Sequence, residues 1–370
     1  MKVKNLLLIT ASSGPRWGMM APMTSPFPIG VGEHRPARIK DVAAAAGVSF
    51  KTVSNVVHGR PNVGSETRQR VLAAIAELAY RPDPAARQLR QGRSNMLTLV
   101  VPEITSPYFA QLAHLTIDAA REHGYAVFLE ETGGDPRVEQ DLLSTLAMRV
   151  FDGIILSPLS ATAESLSSFG RTVPSVFLGE HIDGADIDHL AYDNVASVRD
   201  ATRHLIDTGR RRIAFLGMQS GNPNHTVEGR LTGYRQALTD ARLPMDRRMA
   251  LRAVDYSREE GAARTAEALR RGLDFDGLIC ANDTLAIGAL YSLRLAGREV
   301  PGDVAVVGWD NIPEGRYSAP SLTTVAPDVG ELARTTARTL IRRIEQPGAS
   351  AERHIIGHRL LIRESSAVSV

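Results

Sequence analysis

The spacing of apolar residues along the chain changes near residue 95. Before that point, apolar positions recur at helical spacing in three short segments, 39–46, 50–57 and 65–78. In the last segment Val71, Ile75 and Leu78 lie at i, i+4 and i+7, which is one stripe of a helix. From Met96 onward, short apolar runs alternate with longer amphipathic segments. The pattern therefore predicts a small all-α head, over 37–80, followed by an α/β core, over 96–370.

The core pattern consists of two successive runs of alternating strands and helices. Predicted strands lie at 97–101, 126–129, 153–156 and 175–178 in the first run, and at 213–216, 277–280, 304–307 and 359–362 in the second. Such alternation predicts parallel sheets with helices on both faces. Two runs predict two Rossmann-like lobes with a cleft between them. We expect the first lobe to comprise 96–191 and 326–346, and the second 192–325 and 347–370.

The ends of the chain and its single cysteine limit its location. Residues 11–36 show no periodicity, and we interpret residues 1–36 as a disordered leader or as translation from too early a start. Their apolar run at 6–9 is shorter than that of an ordinary signal peptide. No stretch reaches the roughly 18 apolar residues of a membrane span. Cys280 alone permits no disulfide within the chain, which is typical of the cytoplasm.

Charge is unevenly distributed between head and core. Residues 1–93 carry 14 basic and 5 acidic side chains, whereas the rest of the chain carries 29 basic and 36 acidic ones. A basic head on an acidic body indicates a polyanionic partner for the head alone. The alternative is a solvated basic surface, which charge by itself does not exclude.

The second predicted helix has two distinct faces. Val53, Val56 and Val57 lie at i, i+3 and i+4 and are predicted to face the other two helices. Gly47 suits the left-handed end of the preceding helix, and Ser49 suits the N-cap of this one. The outward face is typical of a helix that enters the DNA major groove. A small helical bundle with a polar surface is the alternative.

Candidate DNA contacts follow from that outward face. The candidate base contacts are Phe50, Lys51 and Asn55. Lysine pairs with guanine acceptors and asparagine pairs bidentately with adenine, so this helix has the chemistry for base readout. Polar residues around it are candidate phosphate contacts, which position a protein without specifying sequence. They are Ser49, Thr52, Ser54, His58, Asn62 and Thr67.

The head resembles that of the lactose-repressor (LacI) family. The resemblance rests on IKDVAAAAGVSFKTVS at 39–54, SETRQRVL at 65–72 and LAYRP at 78–82, and similarity continues to about residue 365. It implies a homodimeric transcriptional repressor on a near-palindromic double-stranded operator, with a core of the type I periplasmic-binding-protein kind. It implies no metal and no cofactor. Asn55 stands where the family usually has Arg, which predicts a shift toward adenine in the operator.

Residues 81–95 are predicted to form a hinge. Segment 84–90 is too short to be a stable helix alone, because helix nucleation is costly. In the family two such segments pair across the dimer in the minor groove. The resemblance assigns a wedge between base steps to Leu89 and close helix contact to Ala86. A single apolar contact to the core is the alternative for Leu89.

Aromatic and polar residues at predicted strand ends are candidate ligand contacts, because carboxyl ends of parallel strands face the cleft. The resemblance selects Tyr108, Phe109, Glu180, Arg230, Tyr256, Asn282 and Asp310. Arg, Asp and Asn groups around aromatic faces suit a sugar or sugar derivative. Local capping or ion pairing of Arg230, and core positions for Tyr108 and Phe109, are the alternatives. Sugar-responsive relatives often carry an Asp one position before Glu180, so the ligand's identity stays open.

Two other function classes fit parts of the pattern. A secreted sugar-binding protein shares the two-lobed core but predicts an export signal and no basic head. An enzyme is the second, yet the sequence contains no Walker-type loop, HExxH or GxSxG. We therefore predict a regulator without catalytic residues, in which a small polar ligand shifts a two-state equilibrium and with it operator affinity. The sequence favours neither induction nor co-repression.

Overall fold

A computed structural model describes residues 37–57, 59–80, 93–146, 151–179, 186–219 and 225–367. These residues separate into a head, up to residue 80, and a core, from residue 93. The predicted leader 1–36, His58, hinge residues 81–92 with Ala86 and Leu89, and Glu180 lie outside the described residues.

Three helices form the head, α1 (Ile39–Ala45), α2 (Phe50–Val57) and α3 (Ser65–Glu77). They enclose a small core of Val42, Val53, Val56, Val71 and Ala74. Ser49 begins α2, since its Oγ accepts a hydrogen bond from the Thr52 backbone N–H at 3.1 Å. Gly47 has φ 63°, which turns the chain between α1 and α2. The predicted helix-turn-helix head is confirmed.

The first sheet of the core has six parallel strands. They are β1 (Met96–Val101), β2 (Ala126–Glu131), β3 (Gly153–Leu156), β4 (Ser175–Leu178), β5 (Asp188–Tyr192) and β11 (Arg353–Ile356). Their order is β11-β5-β4-β3-β1-β2, and every pairing is parallel. Strand β1 is buried along nearly its whole length, which explains its uninterrupted apolar sequence.

The second sheet also has six strands. They are β6 (Ile213–Met218), β7 (Ala250–Arg252), β8 (Gly277–Cys280), β9 (Ala305–Trp309), β10 (Thr323–Pro327) and β12 (His358–Leu361). Their order is β12-β10-β9-β8-β6-β7, and only the β10–β12 pairing is antiparallel. Cys280, at the end of β8, is buried in the core of this lobe.

Helices cover both sheets. They are α4 (Pro107–Glu122), α5 (Pro136–Leu146), α6 (Ala163–Thr172), α7 (Asn194–Asp207), α8 (His225–Asp240), α9 (Arg258–Arg270), α10 (Asp283–Leu295), α11 (Pro313–Tyr317) and α12 (Val329–Glu345). Helices α9 and α10 pack backbone to backbone, because a Cβ on Gly288 would lie only 2.0 Å from the Arg258 carbonyl oxygen. Helix α12 packs on α4 and β3 and belongs to the first lobe. Within the described ranges, no helix is both long and apolar enough to cross a membrane.

The C-terminal segment departs from the predicted lobe boundaries. We expected all of 347–370 in the second lobe, yet β11 pairs in parallel with β5 of the first sheet, and only β12 joins the second. The reason is Asp188, a buried carboxylate that accepts hydrogen bonds from Arg342 Nη2 at 2.8 Å and Arg343 Nε at 2.6 Å. It also accepts from the Glu352 backbone N–H at 2.8 Å, which ties the chain before β11 to the first lobe.

In the described part of the core, the chain therefore crosses between the lobes three times, each time through a single residue. Asp193 joins β5 to α7, Asp328 joins β10 to α12, and Gly357 joins β11 to β12. Both aspartates cap the helix that follows, through hydrogen bonds of 2.8 Å from backbone N–H groups. The Asp328 N–H donates to the Gly357 carbonyl at 3.0 Å, which places two of the crossings side by side.

Candidate functional site

The outer face of α2 carries the predicted base-contacting residues. The Phe50 side chain is 44% exposed, Lys51 is exposed and Asn55 is half-buried. On the opposite face, Val53 and Val56 are buried against α1 and α3. An aromatic ring, an ammonium and a carboxamide thus share one side of the helix, and each group has the chemistry for contact with base edges.

The predicted phosphate contacts surround that helix. Ser49 is exposed at its start, Thr52 and Ser54 are half-buried along it, Asn62 is exposed in the loop before α3, and Thr67 lies in the first turn of α3. The Ser49 and Thr52 hydroxyls are within hydrogen-bond distance of each other, at 2.9 Å. These two residues therefore stabilise the start of α2 in addition to any contact with DNA.

A cavity of about 580 Å³ lies between the two lobes of the core. Its walls are the segments that follow the carboxyl ends of strands in both sheets, among them β1, β3 and β4 of the first and β8 and β9 of the second. Clefts of this kind are where open α/β folds bind ligands. Six of the seven predicted ligand contacts line it: Tyr108, Phe109, Arg230, Tyr256, Asn282 and Asp310.

Arg230, on α8, is held rigidly at this cavity. Its Nε donates to Asn194 Oδ1 at 2.7 Å, and its Nη1 donates to the Ala281 carbonyl. Its Cζ lies 3.6 Å from the centre of the Trp309 ring, so the guanidinium stacks on the indole. The partners are neutral, which differs from the local ion pair considered as an alternative. A planar fork fixed in this way can donate its other N–H groups to hydroxyl or carboxylate oxygens.

A row of aromatic rings extends from Trp309 into the first lobe. Trp309 meets Tyr192 edge to face at 5.4 Å, and Tyr192 meets Tyr108 at 6.5 Å. Tyr108 in turn meets Phe109 at 5.0 Å. Trp309 Nε1 donates to Ser197 Oγ at 3.1 Å, which fixes the ring. Tyr108 and Phe109 therefore line the cavity and also pack against the core, and a ligand contact by these two residues stays a prediction.

Asp310 is presented to the cavity by an unusual turn. It has φ 116° and the next residue, Asn311, has φ 56°. Asp283 holds this turn from behind, because its buried carboxylate accepts from the Ile312 N–H at 2.9 Å and from Thr324 Oγ1 at 2.7 Å. Burial raises the pKa of Asp310 to about 7, although nearby Arg230 acts to lower it.

Asn282 and Tyr256 differ in what they can offer a ligand. Asn282 caps α10, since its Oδ1 accepts from the Leu285 N–H at 2.9 Å, while its Nδ2 donates to Thr284 Oγ1 at 2.6 Å. The Tyr256 hydroxyl, in contrast, has no hydrogen-bond partner among the described residues. Burial raises the pKa of Tyr256, so the hydroxyl stays protonated and can donate.

Sequence reasoning missed three residues that build this site. Trp309 and Tyr192 line the cavity, and Asn194 orients Arg230. Trp309 directly precedes Asp310, just beyond the predicted strand 304–307, and that position was the available signal. The cavity as a whole presents an acceptor at Asp310, donors at Arg230 and Tyr256, and aromatic faces between them, a combination that suits a polyhydroxylated ring.

Comparisons with known proteins agree with this description. The model of bacterial regulatory proteins of the lacI family matches residues 38–83, and the periplasmic binding protein-like domain matches residues 202–366. The ribose operon repressor of Halalkalibacterium halodurans is 31% identical over 89% of this chain and 96% of that protein. A complex of the transcriptional regulator CelR with cellobiose shares 32% identity at a TM-score of 0.66, over 89% of this chain and 99% of that one. A lac repressor dimer bound to operator and the anti-inducer ONPF shares 25% identity at a TM-score of 0.80, over 90% and 100% of the two chains.

Proposed function

The chain belongs to the LacI family of bacterial regulatory proteins and is a DNA-binding transcriptional regulator, and from that premise we propose that it represses transcription in response to a sugar-like effector. In this proposal two copies bind a near-palindromic operator together, in the cytoplasm. The lac repressor of similar fold is a dimer on its operator, which supports the assembly. Two equivalent heads then read two half-sites, which explains the operator's symmetry.

The head is proposed to read the operator with the outer face of α2. Phe50, Lys51 and Asn55 contact base edges in the major groove, and their position on the face opposite the buried valines supports this role. Proposed phosphate contacts are Ser49, Thr52, Ser54, His58, Asn62 and Thr67. Ala86 and Leu89 of the hinge are proposed to act in the minor groove, on the resemblance alone.

The effector is proposed to be a sugar or sugar derivative. One observation carries this proposal: the Arg230 guanidinium is fixed 3.6 Å above the Trp309 ring in a cavity that Asp310 and the unpartnered Tyr256 hydroxyl also line. A sugar ring places its apolar face on aromatic carbon and its hydroxyls against such donors and acceptors. The cellobiose in CelR and the ribose operon controlled by the Halalkalibacterium relative support the same class of ligand.

Binding is proposed to act by fixing the geometry between the lobes. Tyr108 and Phe109 belong to the first lobe, whereas Arg230 and Asp310 belong to the second, so a ligand that contacts both groups favours one arrangement. Operator affinity then changes by the ligand's differential affinity for the two arrangements. Such a cleft needs only to bind, and the proposal includes no chemical turnover.

The test begins with selection of an operator from a random duplex library with the full-length protein. Anisotropy titrations at about 50 mM and about 200 mM salt should show a steep salt dependence and a preference over scrambled duplex. Thermal unfolding with ribose, cellobiose and other neutral sugars should then find one that raises Tm saturably and changes operator affinity at least about tenfold.

Matched variants locate the effect in the cleft. Arg230→Lys should lose the Tm shift, because lysine cannot reproduce the planar fork, whereas Arg235→Lys on the same helix and outside the cleft should retain it. A protein that selects no duplex would contradict the DNA proposal. Equal ligand response in both variants would contradict the assignment of the cleft, and turnover of the sugar would favour an enzyme.

A further inference from the structure

We propose that the second lobe holds a separate binding site for a phosphorylated small molecule, in an arginine-lined cavity. This cavity has a volume of about 930 Å³ and shares no lining residue with the cleft. A smaller cavity of about 350 Å³ adjoins it, and Asp246, Arg248, Arg271 and Leu273 line both. The site goes beyond the proposed function, since a cleft-binding regulator needs no second ligand.

The cavity lies at one edge of the second sheet. Strand β7 is the edge strand there, the 3-10 turn Arg247–Met249 precedes it, and residues of α8 and α9 form the other walls. Its apolar lining includes Leu231, Tyr234 and Ala268, all of them buried. The Tyr234 hydroxyl donates to the Ile213 carbonyl at 2.7 Å, which fixes that ring. A concave site with an apolar floor is typical of small-molecule binding.

Positive charge dominates the rim. Six arginines line the larger cavity, Arg235, Arg247, Arg248, Arg252, Arg264 and Arg271, against two carboxylates, Asp246 and Glu267. This excess of arginine over carboxylate is local to the cavity, because the chain beyond residue 93 as a whole carries 36 acidic and 29 basic side chains. A local excess of this size in an acidic body attracts anions.

Both carboxylates at the rim already have arginine partners. Glu267 accepts from Arg264 Nη1 at 2.6 Å and lies 3.7 Å from Arg271 Nη1. Asp246 binds Arg248 through Nε and Nη2, at 2.9 and 2.7 Å, and this pairing fixes the plane of the guanidinium. The carboxylates therefore orient some of the guanidinium groups without neutralising the rim.

Two of the arginines are left without a counter-charge. Arg235 and Arg247 form no ion pair with any residue that the structure describes, and both side chains are exposed at the rim. A phosphate group carries about two negative charges and three acceptor oxygens, which match paired guanidinium forks. The apolar floor would receive the organic part of the ligand, which favours a phosphate ester over a bare ion and a small molecule over a polynucleotide.

The experiment uses isothermal titration of the full-length protein with phenyl phosphate, inorganic phosphate and phenol. We expect saturable binding of phenyl phosphate, one per chain, tighter than that of inorganic phosphate, and no binding of phenol. The double variant Arg235→Gln/Arg247→Gln should weaken phenyl phosphate at least about tenfold, the loss expected for two charged hydrogen bonds. The double variant Arg270→Gln/Arg298→Gln removes two exposed arginines that line neither cavity, and it should bind as the parent does.

Three results would overturn the site. One is the absence of saturable binding, and another is an equal loss in both double variants, which would indicate general charge attraction. The third is displacement of phenyl phosphate by scrambled duplex DNA at lower concentration than by inorganic phosphate, which would assign this face to nucleic acid. Thermal unfolding without ligand checks that the variants are folded, with Arg247→Gln alone as the milder substitute. Arg230→Lys should leave phenyl phosphate binding unchanged, so this test is independent of the cleft.

Discussion

The Asp310 carboxyl should make the core less stable as pH rises toward neutrality. Burial raises the pKa of this group from 3.8 to about 7 in the folded protein. In the unfolded chain it titrates near its ordinary value, so between the two pKa values the folded state holds a proton that the unfolded state has released. Stability falls with rising pH wherever the folded state binds more protons. The contribution of Asp310 therefore declines from about pH 4 to about pH 7 and is level above that.

The size of the effect follows from the two pKa values. With 3.8 for the unfolded chain and about 7 for the folded one, linkage gives a loss of about 2 kcal/mol between about pH 5.5 and about pH 7.5. Asp310→Asn removes this dependence, because the amide does not titrate. The variant should be more stable than the parent near pH 7.5, and the difference should shrink toward pH 5.5.

The assay is urea unfolding at a fixed protein concentration across that pH range. The chain has two tryptophans, so Trp17→Phe in both proteins leaves the fluorescence of buried Trp309, beside Asp310, as the signal. Asp141→Asn, at an exposed position of the first lobe, is the control and should follow the parent. If the free energy of unfolding of the parent and of Asp310→Asn shows the same pH dependence, the carboxyl is solvated and the reasoning about its burial is refuted.

Three further predictions concern packing, capping and readout. Gly288→Ala should lower the free energy of unfolding by about 2 kcal/mol in urea titrations, because its Cβ would lie 2.0 Å from the Arg258 carbonyl oxygen. Gly348→Ala, where the added Cβ meets open space, should leave the free energy of unfolding unchanged. Similar losses in both variants would disprove the close packing of α9 and α10. Ser49→Ala removes the N-cap of α2 and should lower the stability of the head by about 1 kcal/mol, measured as roughly fivefold faster amide exchange in α2. Unchanged exchange would show that the cap is dispensable. Asn55→Arg should move operator selection away from adenine at one position, and an unaltered selected sequence would exclude base readout by that residue.

The spacing of apolar residues predicts the helices and strands that are buried in a regular pattern. It does not predict the elements whose burial depends on contacts with distant parts of the chain. The long helices and the apolar strands are predictable because one face or both faces are buried along their whole length. Strand β5 is not, because it contains buried polar residues, Asp188 and His189. Asp188 is buried only because two arginines of α12 meet it, and nothing local in β5 indicates that. Strand β7 has three residues, too few for any pattern.

The residues of the candidate site also differ in whether the sequence predicts them. The predicted ligand contacts follow from strand ends and from the family resemblance, and six of them line one cavity. The residues that orient them are not predictable in this way, because the contacts span long sequence separations. Asn194 meets Arg230 from 36 residues away, and Ser197 meets Trp309 from 112 residues away. Such pairs depend on how helices of the finished fold lie against each other.

The three single-residue crossings limit how the lobes can move. Each of Asp193, Asp328 and Gly357 is flanked on both sides by hydrogen-bonded structure, so changes in backbone dihedral angles concentrate at these joints. Because all three residues connect the same two lobes, a change in the angle between the lobes requires dihedral changes at the three of them together. A ligand that favours one of the two lobe arrangements therefore has to act on all three crossings at once.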